Sequence, residues 1–131
     1  MKEIDRIDHL VLTVADLDRT VAFYTSVLGM GVTTFGEGRM ALTFGGTKLN
    51  LHQAGHEFEP KALRPTPGSV DLCLVVDDSI EAIAAGLTER GAEIVEGPVA
   101  RTGARGPILS CYVRDPDGNL VEVCTYRPGV T

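Results

Sequence analysis

Four side chains able to hold a metal ion stand inside runs that are otherwise apolar. They are His9 in IDHLVLTV, His52 in KLNLHQ, Asp71 in VDLCLVV and Glu122 in NLVEVCTY. Burying an unpaired carboxylate costs on the order of several kcal/mol, so Glu122, between Val121 and Val123, calls for a cation or hydrogen-bond donors. Imidazole and carboxylate suit divalent first-row ions such as zinc, manganese, iron, cobalt or nickel. Plainer readings exist for each residue alone. A single strand histidine is commonly a packed core residue; Glu122 could face solvent or pair with Arg114 across a hairpin; Asp71 could cap a turn after Gly68 and Ser69. His56, in a loop, reads as a surface residue.

The elements that must carry these residues are duplicated. Residues 7–14 are β-branched, free of Gly and Pro, and read as a strand. Asp16 or Asp18 can cap a helix through Leu28, with Leu17, Val21, Tyr24 and Leu28 at helical spacing and Gly29 as its stop. Strands are expected over 31–35, 39–44 and 48–53. The pattern then returns from Gly29 to Gly91, at an offset of 62. A strand over 70–76 precedes the cap Asp77-Asp78-Ser79, a helix over 80–90, and strands over 93–96, 108–114 and 119–126. Asp115-Pro116-Asp117-Gly118 makes the last turn.

The order βαβββ thus occurs twice, which indicates an α+β fold of two βαβββ modules. The modules span about 5–53 and 69–127, and the proline-rich stretch 54–68 joins them. Neither half can bury a sheet face alone, so a single domain over 5–127 is expected. Strand alternation puts His9, Val11 and Thr13 on one face, and likewise Lys48, Asn50 and His52; Asp71, Cys73 and Val75; and Leu120, Glu122 and Cys124. Across the repeat His9 faces Asp71, and an offset of 70 sets His52 against Glu122.

Other features exclude more than they assert. The net charge is -6 and the cations are scattered, which argues against a nucleic-acid surface. No apolar run is long enough for a bilayer, and MKEIDRIDHL is too charged for a signal peptide. The three cysteines, Cys73, Cys111 and Cys124, lack CxxC spacing and read as packed free thiols in a reducing cytoplasm. Residues 101–106, with Arg101 and Arg105, are expected to form a mobile loop wall able to contact an anion, or else to carry solvated arginines.

With these residues placed, the chain resembles the vicinal oxygen chelate superfamily of glyoxalase I, extradiol dioxygenases, methylmalonyl-CoA epimerase and fosfomycin-resistance thiol transferases. The resemblance runs from Ile7 to Tyr126 and rests on IDHLVLTV, FYTSVLGM, VDLCLVVDD and DPDGNLVEV. More narrowly, LNLHQAGHEFEPKALRPTPGSVDLC looks like the glyoxalase domain-containing protein 5 group. The resemblance implies sheets curled into a cup-shaped, barrel-like mixed sheet around one divalent ion, a small-molecule substrate that chelates it, and a homodimer. It makes His9 the first-strand ligand and Glu122 the last-strand ligand. Two departures stand out. The family usually has His at the place of Asp71, and its fourth-strand ligand often sits in an L-x-L setting, here Asn50, two residues before His52. Between these, imidazole is the better ligand for late first-row ions, which favours His52. A Ser and a Tyr at the positions of Ser110 and Tyr112 hold an anionic substrate group in the thiol transferases; ordinary strand polarity is the plainer account.

Three functions follow as expectations. The first is a metal-dependent lyase or isomerase of the glyoxalase type, with Glu122 or Asp71 doubling as proton shuttle. The second is an extradiol-type dioxygenase, whose two imidazoles only His9 and His52 could supply. The third is a non-catalytic protein that binds a drug or metabolite.

Overall fold

The structure, a computed structural model, describes residues 1–128. The chain forms two compact units, Met1–Pro67 and Gly68–Thr131, and divides inside the expected connection. Each unit has the βαβββ order.

The first unit contains β1 (His9–Val14), α1 (Leu17–Ser26), β2 (Gly31–Phe35), β3 (Arg39–Phe44) and β4 (Thr47–Gln53). Its sheet runs β1-β4-β3-β2, with β1 parallel to β4 and the other pairs antiparallel. Asp16 caps α1 by accepting from the Arg19 amide at 3.0 Å. The buried stripe of the helix is Thr20, Tyr24 and Val27. A threonine fits there because its hydroxyl donates to the Asp16 carbonyl at 2.9 Å. Leu12, Val14, Leu42, Leu49 and Leu51 complete this core, each large side chain contributing about 1.5–3 kcal/mol by leaving water. The opposite face of the strands therefore carries His9, Asn50 and His52.

The second unit contains β5 (Asp71–Val75), α2 (Ile80–Glu89), β6 (Glu96–Gly103), β7 (Gly106–Arg114) and β8 (Leu120–Thr125), in the sheet order β5-β8-β7-β6. Ser79 caps α2, and Ile80, Ile83 and Leu87 pack it onto Cys111, Val113, Val121 and Val123. Val121 and Val123 thus face the core, and Glu122 faces the other way.

Two expectations change. The barrel-like closure is not found: each unit holds an open four-stranded sheet, with edge strands β1 and β2 or β5 and β6. The expected short strand over 93–96 is not found, and the expected loop over 101–106 is instead the end of a long strand, β6, and its tight turn into β7. Gly97-Pro98 reads as a breaker, yet β6 is an edge strand that absorbs it in a register shift between Glu96 and Val99. Only glycine fits at 97, where φ is 109° and a Cβ would lie 2.4 Å from the Ser110 carbonyl oxygen. No described helix is long and apolar enough to cross a membrane.

Candidate functional site

Glu122 sits mid-strand in the second unit. Register places Cys73 of β5 directly beside it on one side and Tyr112 of β7 on the other. Ser110, fully buried, donates its hydroxyl hydrogen to Glu122 Oε2 at 2.6 Å. Charge-assisted bonds of this length are among the stronger ones.

Tyr112 extends the network. Arg101 Nε donates to the Tyr112 hydroxyl oxygen at 3.1 Å, and the guanidinium lies 5.5 Å from the centre of the Tyr112 ring. That donation leaves the phenolic hydrogen free to turn toward Glu122, its register neighbour on β8. Burial raises the Tyr112 pKa, Arg101 opposes the rise, and the charge of Glu122 adds to it. Arg101 is fixed in turn by Glu96, at 3.0 Å. Ser110 uses one of the roughly four lone-pair directions of a carboxylate, so Glu122 keeps acceptor capacity for a cation. Arg114, the plainer partner, donates instead to the Gly118 carbonyl at 3.1 Å.

Asp71 opens β5. It pairs in register with Leu120, one diagonal step from Glu122, and both carboxylates line a cleft of about 450 Å³ with Glu96, Arg101, Tyr112 and Arg114. The DPDGN turn builds this relation. Asp115 Oδ1 accepts from the Asp117 and Asn119 amides at 2.9 Å, and Asn119 Nδ2 donates to Asp115 Oδ2 at 2.8 Å. Asn119 Oδ1 then accepts from the Val70 amide at 2.8 Å, tying the start of β5 to β8. The Asp115 carboxylate is thereby spent on structure, and Asp71 and Glu122 are left for the cleft.

In the first unit His9 is exposed, and its Nδ1 meets Asp8 Oδ2 at 2.8 Å, which leaves Nε2 open. His9 pairs with Lys48, whereas His52 pairs with Thr13, four residues further along the strand. At about 3.3 Å per residue the two imidazoles are separated by roughly 13 Å of strand. Cross-strand pairs interact directly or one diagonal step away, so the sheet does not bring His9 and His52 together. Asn50 is the residue one diagonal step from His9. Its Oδ1 is buried and has no hydrogen-bond partner. His52 is 9% exposed and packs edge-on against Phe58 at 5.5 Å, while Arg39 stacks over the other part of that cluster, 4.2 Å from the Phe58 ring. Burial, with the charge of Arg39, holds the His52 pKa below the usual histidine range.

The two registers correct the expected equivalence. His9 pairs with Lys48 and Asp71 with Leu120, so Lys48 matches Leu120, Asn50 matches Glu122, and the fourth strands are related by 72 residues, not 70. His52 then matches Cys124. The extradiol expectation loses its second imidazole by the same geometry.

Arg105 is also displaced from its expected role. It lies at the β6–β7 turn, its amide donating to the Tyr126 hydroxyl at 3.1 Å, and it lines a different cleft with Asp77, Tyr126 and Arg127. Arg101, which points from β6 toward Tyr112, is the arginine beside Glu122. Had the Gly-Pro bulge been foreseen, strand alternation from Val99 would have found it.

Among the described residues, neither unit by itself gathers three or more His, Cys, Asp or Glu side chains as a metal cluster. The donors nonetheless fit an ion in kind: an orphaned amide oxygen beside His9, and two carboxylates a diagonal step apart.

Residues 6–123 match the Glyoxalase/Bleomycin resistance protein/Dioxygenase superfamily. The chain belongs to this superfamily. Glyoxalase domain-containing protein RDO1 of Mycosarcoma maydis is 61% identical over 121 residues, covering 92% of this chain and 68% of that protein. Virulence protein STM3117 of Salmonella typhimurium is 57% identical over 123 residues, covering 94% of this chain and 85% of that protein. The crystal structure of STM3117 superposes with a TM-score of 0.94 over 96% of this chain and 100% of that chain. Metallothiol transferase FosB of Shouchella clausii is 30% identical over 122 residues, covering 93% of this chain and 81% of that protein. Glyoxalase-type lyases, epimerases and this metallothiol transferase are thus within the superfamily's range.

Proposed function

We propose that the protein is a divalent-metal-dependent lyase or isomerase of the glyoxalase type, acting on a small molecule with neighbouring oxygens. The observation that carries this reading is Glu122, held by Ser110 Oγ at 2.6 Å in a cleft that Tyr112 and Arg101 also line. Glu122 and Asp71 are the proposed ligands of the second unit, and His9 is the ligand that the family's pattern assigns to the first. The buried Oδ1 of Asn50 supports it as the fourth-strand donor in preference to His52. A bound ion supplies Lewis acidity to the substrate's oxygens.

The chain's own residues supply the rest. Ser110 fixes one oxygen of Glu122, which leaves the other to take a proton from a carbon next to a carbonyl and return it. Tyr112, whose oxygen accepts from Arg101, stands beside the carboxylate with its own hydrogen available to donate. Arg101, on the wall of the same cleft, offers charge to an anionic substrate group. By the same family pattern the protein acts as a homodimer, its free cysteines support a place in the reducing cytoplasm, and the stretch around His52 supports a place in the glyoxalase domain-containing protein 5 group.

Solvent-deuterium exchange tests the reading. Metal-loaded protein screened against oxygen-chelating carbonyl compounds in heavy water is expected to place deuterium at the carbon that loses its proton. Oxygen consumption during turnover would mark a dioxygenase instead. Tight ligand binding by metal-free protein, with no exchange, would mark a binder.

A further inference from the structure

The proposed chemistry leaves a pair of thiols unused. Cys73 on β5 and Cys124 on β8 lie on the same sheet face as Asp71 and Glu122, and their Sγ atoms are 3.4 Å apart. Both line a second cleft of about 370 Å³ in this unit. Cys73 is exposed and Cys124 is 1% exposed, so one sulfur is accessible from solvent while the other is anchored in packed strand. Cys111 is fully buried opposite Val123, on the helix side, and takes no part.

The spacing suits a soft ion. Two thiolates on a tetrahedral ion with bonds of about 2.3 Å stand roughly 3.8 Å apart, a few tenths of an ångström from what the strands already hold. Thiolates select zinc, cadmium or cuprous ions over the harder ions that carboxylates prefer. The surroundings favour a cation as well. Glu122, paired in register with Cys73, brings negative charge to the same cleft, and the Arg101 guanidinium on its wall is partnered by Glu96. Val75 and Ile108 add apolar surface to the same cleft.

We propose that Cys73 and Cys124 form a soft-metal site of their own, in which a thiophilic divalent ion is held by two thiolates and completes its shell with water. Binding breaks two S–H bonds, makes two metal–sulfur bonds and releases two protons to solvent, with no electron transferred. Only two protein ligands take part, so the site is open and exchangeable. It does not depend on the reaction proposed above.

Cadmium is the probe, because its thiolate complexes absorb in the ultraviolet. Reduced protein titrated with Cd²⁺ without air is expected to develop a thiolate charge-transfer band that saturates at equimolar metal. Cys73→Ser, a change at an exposed position, should fold as the parent does by circular dichroism and lose the band. Asp71→Asn should keep it, which separates this site from the oxygen donors beside it. A folded Cys73→Ser variant with the parent's band and stoichiometry, or reduced parent that shows no band in excess Cd²⁺, would overturn the proposal.

Discussion

Replacing Asn119 by alanine tests how the DPDGN turn holds the site. The side chain is 1% exposed and makes two hydrogen bonds, accepting from the Val70 amide and donating to Asp115 Oδ2, each at 2.8 Å. Alanine keeps the backbone bond to Asp115 Oδ1 and removes both of these. A buried donor or acceptor left without its partner costs about 1–3 kcal/mol. Asp115 is 6% exposed, so its oxygen takes close to the full penalty, whereas the part-buried Val70 amide recovers some through water. The expected loss is about 2–4 kcal/mol, or roughly 10 °C in Tm for a domain of this size. Urea titration and thermal melting of parent and variant measure it. Because Val70 precedes Asp71, loosening the start of β5 should weaken metal binding as well. A loss below about 1 kcal/mol would refute this account of the turn.

Three further outcomes are expected. Ser110→Ala should fold normally yet bind the divalent ion about 10–100-fold more weakly, since groups that orient a ligand carry that much affinity; an unchanged titration isotherm would show that Ser110 does not orient Glu122. His52→Gln should leave metal stoichiometry intact and flatten the acid side of the stability profile. In the parent, the unfolded chain protonates His52 near pH ~6.5 but the folded chain only at lower pH, so stability is complete above that value and falls as pH drops below it; equal urea midpoints at neutral and mildly acid pH in the parent would contradict this. Gly68→Ala should destabilise by about 2 kcal/mol or more, because φ is 84° and a Cβ would lie 2.6 Å from the Asp117 carbonyl oxygen; parent-like melting would count against it.

The duplicated βαβββ order was legible from the caps, helix stops and strand alternation, which depend on neighbours a few residues apart. Alternation also put Glu122, Asp71, Ser110 and Tyr112 on the correct faces. What the residues did not reveal is register. Counting along the chain matches His52 to Glu122, but the pairing of β1 with β4 sets Asn50 there, and that pairing joins strands far apart in the sequence. The strand β6 was hidden by Gly97-Pro98, since a bulge at a sheet edge tolerates residues that end an interior strand. Arg101 was hidden with it: an arginine read as loop surface is held by Glu96 and Tyr112 on a strand.

Metal content of Glu122→Gln bears most directly on the central claim. The substitution keeps the shape of the side chain and an oxygen for Ser110 to bond, and removes only the charge that a divalent ion requires. Parent and variant would be loaded with the preferred ion, dialysed against a weak chelator and assayed for bound metal, with circular dichroism confirming the fold. The account predicts that the parent keeps its metal and the folded variant loses most of it. Equal metal in both would contradict the assignment of Glu122 as a ligand.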